Sequence, residues 1–192
     1  MADQLTTLAD VTTWLRYTPD ANDTALLTRL ISAASAYVET WCGRTFLSAS
    51  YDQFYDGTGK RLLVLNNSPV SAVASVTVNG LAIPAEPAPV PGLPQSGFRF
   101  TDTAVILDGY TFARGLANVE VVYTAGFATV PADVEQAVID LVALRYRELD
   151  RIGMSSQAMG GETTAFTIRD MPPQVTTILS AWKRIVLMAL PK

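Results

Sequence analysis

The sequence predicts an α+β fold, in which an antiparallel region of β-hairpins and sheet is inserted into a small helical core. Two long stretches repeat apolar residues every three or four positions, which indicates amphipathic helices. Between them, from about residue 44 to 124, short apolar runs alternate with glycine, proline and asparagine, which is typical of strands and turns. A short N-terminal helix is expected before the two long ones. An apolar stretch at the end of the chain predicts a C-terminal helix.

The first part of the chain predicts two helices. The apolar face of the short N-terminal helix is formed by Leu8, Val11, Trp14 and Leu15. A long helix is expected from about Thr24 to Cys42, with Asn22 or Asp23 as its cap and Gly43 as the residue that ends it. Its apolar stripe consists of Leu27, Leu30, Ile31, Ala34, Tyr37, Val38 and Trp41.

The middle of the chain predicts short strands. Residues 50–65 indicate two strands joined by a glycine-containing turn at Asp56–Lys60, and Asn79-Gly80 follows a strand through Val73, Val76 and Val78 as a tight hairpin turn. Residues 84–94 hold five prolines and predict a stiff polyproline-like loop at one end of the sheet, because proline cannot donate to a strand ladder. Further strands are expected at Phe98–Phe100, Ala104–Leu107 and Asn118–Tyr123.

A second long helix is expected from Pro131 to Gly153, with Asp133 and Glu135 near its positive N-terminal end. Its buried stripe is predicted to be Val134, Val138, Leu141, Val142 and Leu149. Three cations crowd its C-terminal half and are candidates for contacts between subunits, namely Arg145, Arg147 and Arg151. The chain thus divides into a core at residues 1–152 and a tail at 153–192, which comprises a flexible linker, with one strand-like patch at 165–168, and the last helix.

The last helix is apolar on almost every side and must be buried against something. Its apolar residues at helical spacing are Val175, Ile178, Leu179, Trp182, Ile185 and Val186, and its charges are Lys183 and Arg184. Two interpretations stay open: the helix folds back on its own core, or it is buried against another subunit or partner.

Composition excludes several classes of protein. The formal net charge of −4 argues against a protein that wraps nucleic acid. The charge divides into −6 for residues 1–152 and +2 for 153–192, which either suits a tail that docks on an acidic surface or is chance variation. The N-terminus lacks the pattern of a signal peptide, and no apolar run is long enough to span a membrane, so an intracellular origin without membrane contact is expected.

No catalytic motif emerges from the sequence. The chain has no histidine and one cysteine, Cys42, whose helical spacing beside Val38 and Trp41 predicts a buried structural thiol. The DGTGK stretch at 56–60 fails the phosphate-loop pattern twice, because Phe54 replaces its first glycine and Arg61 follows the lysine. We therefore predict a protein that is not an enzyme and has no cofactor or metal.

Several segments, in order, resemble the head–tail connector proteins of tailed double-stranded DNA bacteriophages, also called adaptor or head-completion proteins. They are NDTALLTRLISAASAYVETWCGRTF, YDGTGKRLLVLNNSPVSAVASVTVNG, VEVVYTAGFATVPADVEQAVIDLVALRYREL and MPPQVTTILSAWKR. The resemblance covers most of the chain and lies in spacing and pattern. The proline-rich stretch at 84–94 departs from the short loop that is usual in the family.

The resemblance implies a structural virion protein that forms a ring, of dodecamer type, under the portal at the capsid vertex. Such a ring extends the DNA channel, lets double-stranded DNA pass without sequence-specific binding, and gives the tail or the next neck protein a platform. It implies assembly in the host cytoplasm and a final place in the neck of the virion. Met171–Trp182 and the residues after it would form a docking arm that reaches the portal.

Other functions remain as alternatives. Within the virion, a stopper or tail-terminator protein shares the β-rich character but usually lacks two long helices. Outside it, the chain would be an interaction module of a cellular complex or a hydrolase that uses carboxylates, which would require paired acids held across a cleft.

Overall fold

A computed structural model describes residues 4–87, 96–149 and 171–184, together with the backbone of 156–159 and 162–165. The fold is mixed α+β with antiparallel sheets, as the sequence predicted. The chain forms two compact units, of which one comprises residues 1–44 with 130–192 and the other residues 45–129.

The helical unit contains α1 (Leu8–Leu15), α2 (Ala21–Cys42), α3 (Ala132–Arg147) and α4 (Pro173–Trp182). Within it, α2 packs on α3, and both α1 and α4 pack on this pair. Its core consists mainly of Leu5, Val11, Leu27, Ile31, Ala34, Val38, Val134, Val138, Leu141, Val142, Val175 and Leu179. Two short strands, β8 (Ser156–Met159) and β9 (Glu162–Ala165), pair antiparallel in the same unit.

Local sequence explains most helix ends. The Thr7 hydroxyl accepts the amide of Asp10 at the start of α1. The predicted cap of α2 was wrong, because the helix begins one turn earlier, where the Asp20 carboxylate accepts the amide of Asp23 at 2.8 Å. Gly43 ends α2 as expected, at a φ of 65° that glycine adopts without strain.

The second long helix differs from the prediction at both ends. Pro131 lies just before the first helical residue rather than at it, and α3 ends at Arg147 instead of continuing to Gly153. Glu148 follows, and its amide donates to the carbonyl of Leu144 at 3.0 Å. Glu148 is exposed and Leu149 is only half-buried, so burial contributes little to a continuation of the α-helix past Arg147.

The β unit contains β1 (Ala49–Gly57), β2 (Leu62–Val64), β3 (Val70–Val78), β4 (Leu81–Ile83), β5 (Gly97–Phe100), β6 (Ala104–Asp108) and β7 (Gly115–Ala125). These form a four-stranded sheet in the order β1-β7-β3-β4 and a three-stranded sheet in the order β2-β6-β5. Every pairing is antiparallel, and apolar residues of both sheets share one core. The tight turn at Asn79-Gly80 is confirmed, with φ values of 52° and 78° between the paired residues Val78 and Leu81.

The predicted pairing of the two strands in residues 50–65 was wrong. β1 pairs with β7, whereas β2 pairs with β6 in the other sheet. The loop between them is held by Phe112, whose carbonyl accepts the Gly59 amide at 2.6 Å and whose amide donates to Lys60 at 2.9 Å. The loop therefore carries the chain from one sheet to the other, and this crossing lets Leu63 join the shared core.

Two predictions fall partly outside the described residues. The proline-rich loop is described only at its start, where Ala85 forms a bridge to Phe98, and residues 88–95 lie outside. The strand-like patch predicted at 165–168 overlaps β9 at Ala165 alone, and the rest of the patch lies outside the described residues.

Candidate functional site

The C-terminal helix packs on the helical unit of its own chain along one face. Val175 and Leu179 are fully buried, Ile178 is half-buried, and the helix ends at Trp182. The expected continuation of the helix through Ile185 and Val186 is not seen among the described residues, since Lys183 is already extended and both residues lie outside them. Val175 and Leu179 therefore pack on the core of their own chain, and the contact of this segment with another subunit or a partner stays a prediction.

Polar contacts fix the end of this helix against α2 and α3. The Trp182 indole donates to the Asp133 carboxylate at 2.7 Å, and the amide of Arg184 donates to the carbonyl of Cys42 at 2.8 Å. The Lys183 ammonium lies 5.1 Å from the centre of the Trp41 ring, within cation–π range. The side chains of Lys183 and Arg184 remain exposed, so the charged end of the C-terminal segment faces solvent.

The three arginines predicted as subunit contacts differ in their surroundings. The Arg145 guanidinium lies 5.6 Å from the centre of the Tyr37 ring, within its own chain. Arg147 is exposed at the end of α3, and Arg151 lies outside the described residues. Of the two arginines that the structure describes, Arg147 is therefore the more accessible to another subunit.

Cys42 is buried beneath the C-terminal helix, as the sequence predicted, with its Sγ 3.9 Å from the carbonyl of Leu179. Burial raises the pKa of the Cys42 thiol to about 11, against the opposing effects of Arg44 and Lys183. The thiol is therefore protonated at neutral pH, which makes it a poor nucleophile and a packing residue.

This thiol predicts a pH dependence of stability. In the unfolded chain it loses its proton near pH 9, whereas in the folded protein it keeps the proton to about pH 11. The stabilising contribution is therefore complete below pH 9 and is lost as the pH rises to about 11. Urea unfolding at a series of alkaline pH values should show this fall in the wild type and a smaller one in Cys42→Ala, which lacks the thiol. Equal slopes would show that the thiol does not titrate as described.

An open groove of about 680 Å³ lies between α1 and α3. One wall is formed by Asp10, Thr13, Trp14 and Arg16, and the other by Gln136, Ile139 and Arg147. Trp14 is 53% exposed, so its predicted place on the buried face of α1 was wrong. Val11 already fills the core under this short helix, and Trp14 turns toward the groove instead.

The outer face of the four-stranded sheet carries an exposed aromatic ring among acids. Phe54 is 62% exposed, with Asp52 and Asp56 on either side of it along the same face of β1. Across the ladder, Phe54 pairs with Glu120 of β7. Sequence reasoning missed this face, although the alternation of acids with Phe54 in DQFYD was the signal that marked it.

The described residues show neither a metal centre nor a membrane span. No group of three or more His, Cys, Asp or Glu side chains comes together within residues 4–87, 96–149 and 171–184. In the same part of the chain, no helix has the length and apolar character needed to cross a bilayer.

The structure is thus an α+β protein with two exposed surfaces that combine an aromatic ring with charged residues: the groove at Trp14 and the sheet face at Phe54. The chain matches the family model of head completion proteins over residues 4–185, and it belongs to that family. The resemblance noted in the sequence is thereby confirmed. A search of curated protein sequences gave no match.

Solved structures of gene transfer agent particles have a similar fold. A chain described as the neck of an empty particle computed with C6 symmetry is 25% identical, with a TM-score of 0.55, and the match covers 95% of this chain and 92% of that one. A chain from the neck of a native particle computed with C12 symmetry is 22% identical, with a TM-score of 0.55 and coverage of 96% and 92%. A third chain, from the virion of a native particle, is 23% identical, with a TM-score of 0.56 and coverage of 95% and 92%.

Proposed function

We propose that this chain is a structural, non-enzymatic protein of the neck of a tailed-phage-like virion. The observation that carries the proposal is the match along nearly the whole chain to a head completion family and to neck chains of similar length. In this role it forms a ring that binds the portal at the capsid vertex. The ring extends the DNA channel and supports the tail or the next neck protein. The protein assembles in the host cytoplasm and ends in the virion.

The ring is supported by the symmetry of the related necks, which were computed with six-fold and twelve-fold symmetry. The proposed dodecamer agrees with the twelve-fold symmetry. The acidic net charge of −4 suits a channel wall, because a protein that does not neutralise phosphates lets DNA slide past without strong binding.

The structure reduces the number of C-terminal residues that we propose contact the portal. Because Val175 and Leu179 are buried in the helical unit, the proposed contact with the portal falls to the charged end at Lys183 and Arg184 and to the apolar residues after it. Those residues begin with Ile185 and Val186, and the sequence continues as LMALPK. Deletion of all residues from 171 onward would remove part of the core and would confuse folding with binding.

A shorter truncation tests this contact. A chain that ends at Arg184 keeps the contacts of α4 described above but lacks Ile185, Val186 and the apolar residues that follow. We expect it to fold as the full chain does and to bind the portal protein of the same genome at least about tenfold more weakly, since each large apolar side chain buried contributes about 1.5–3 kcal/mol before ordering costs.

The matched control is a chain that ends at Leu190 and loses only Pro191 and Lys192. Binding is measured by co-purification and by titration, with circular dichroism of each truncated chain as the check on folding. Unchanged affinity in a folded chain that ends at Arg184 would show that the C-terminal residues do not make the portal contact.

A further inference from the structure

A closed ring needs two different surfaces on each subunit. In a cyclic assembly with more than two copies, each subunit offers one patch to the neighbour on one side and a different, complementary patch to the other neighbour. If the proposed ring is correct, each subunit should therefore carry two different surfaces that complement each other. Within the described residues, the groove between α1 and α3 and the outer face of the four-stranded sheet are two exposed surfaces of opposite charge.

The groove combines an aromatic wall with net positive charge. Trp14 is half exposed along it and the mostly buried Ile139 also lines it, so part of the lining is apolar. Arg16 and Arg147 both line it, against the single acid Asp10. Neither arginine forms an ion pair with any other residue in the described part of the chain. Tryptophan and arginine are the residues most enriched among the energetic anchors of protein interfaces.

The sheet face has the opposite charge. Phe54 projects from β1 among Asp52, Asp56 and Glu120, and these acids are also without an ion pair within the residues that the structure describes. Asp56 is held in place by the amide of Ala117, which donates to it at 2.7 Å. The acids around Phe54 give this face a negative charge, which complements an aromatic groove lined by arginines.

We propose that the sheet face of one copy docks in the α1–α3 groove of the next copy, and that this contact closes the ring. Phe54 then packs against Trp14, while the surrounding acids face Arg16 and Arg147. This inference rests on the proposed function, because it names the contact between copies within the proposed ring.

An exposed apolar pair on the three-stranded sheet fits this role less well. Leu62 and Val64 are exposed on the outer side of the three-stranded sheet. Arg99, on β5 at the far edge of this sheet, already pairs with Asp108 at 3.1 Å and with Glu86 at 3.8 Å. Charges that are satisfied within the chain give little electrostatic specificity for a second copy.

Charge reversal on each surface tests the contact. The groove variant carries Arg16→Asp and Arg147→Asp, the face variant carries Asp52→Lys and Glu120→Lys, and a third variant combines all four substitutions. The full chain is used in each case, and the amount of closed ring is measured by native mass spectrometry, both alone and after mixing with the portal protein. Controls with reversed charge elsewhere are Arg29→Asp on α2 and Asp102→Lys in the β unit, both at exposed positions.

The groove variant and the face variant should each lose at least about tenfold in ring population, and the combined variant should recover most of it, because the two surfaces attract again with opposite signs. The controls should assemble like the wild type. Circular dichroism verifies that each variant is folded.

Two results would overturn the inference while leaving the proposed function intact: rings that form normally in the groove and face variants, or a combined variant that fails to recover. Absence of a ring from the wild type, alone and with the portal protein, would contradict the proposed function itself.

Discussion

Replacement of Leu179 by alanine is expected to lower the free energy of unfolding by about 2–5 kcal/mol. Leu179 is completely buried where α4 packs on α2 and α3, and its carbonyl lies beside the Cys42 thiol. Truncation removes the transfer free energy of the side chain and leaves a cavity that the surrounding helices fill only in part. Urea unfolding at neutral pH measures the loss.

Ile178→Ala is the matched control, because this neighbour in α4 is only half-buried and its truncation should cost clearly less. Equal, small losses for the two variants would show that α4 does not belong to the core of the helical unit. In that case, the whole segment from Met171 onward would be the candidate for the contact with the portal.

Phe112→Ala is expected to reduce the free energy of unfolding by about 3–5 kcal/mol. The Phe112 ring is fully buried in the shared core of the two sheets, and its backbone holds the loop that carries the chain from β1 to β2. The substitution therefore empties the core beside the point where the chain crosses between sheets. Chemical denaturation followed by circular dichroism gives the value.

Phe54→Ala supplies the comparison for Phe112, since the same change is made at a ring that is 62% exposed. Stability should change by no more than about 0.5 kcal/mol there. A Phe112 variant as stable as the Phe54 variant would contradict the described packing of the β unit. Phe54→Ala should instead weaken the contact between copies.

The helices were predictable because their signals are local. The apolar stripe of α2 and the glycine at position 43 lie within or next to the helix they define, so sequence alone gives its extent to within one turn. The tight turn at Asn79-Gly80 is equally local. The end of α3 was missed because the charged residues after Arg147 are compatible with a helix by propensity, so the sequence does not mark Arg147 as the last helical residue.

Strand pairing was less predictable because it depends on distant residues. The turn chemistry at Asp56–Lys60 suggests a hairpin, yet β1 gains a longer partner in β7, about sixty residues further along the chain. The same limit applies to the candidate surfaces. Trp14 and Arg147 meet in one groove only after α1 packs on α3, and no spacing in the sequence encodes that meeting.

The native mass of the full-length protein, alone and in complex with the portal protein, tests the central claim most directly. The account predicts a closed ring of defined size, with a copy number that agrees with the twelve-fold symmetry of the related neck. A protein that stays monomeric at every concentration and adds no ring to the portal would contradict it.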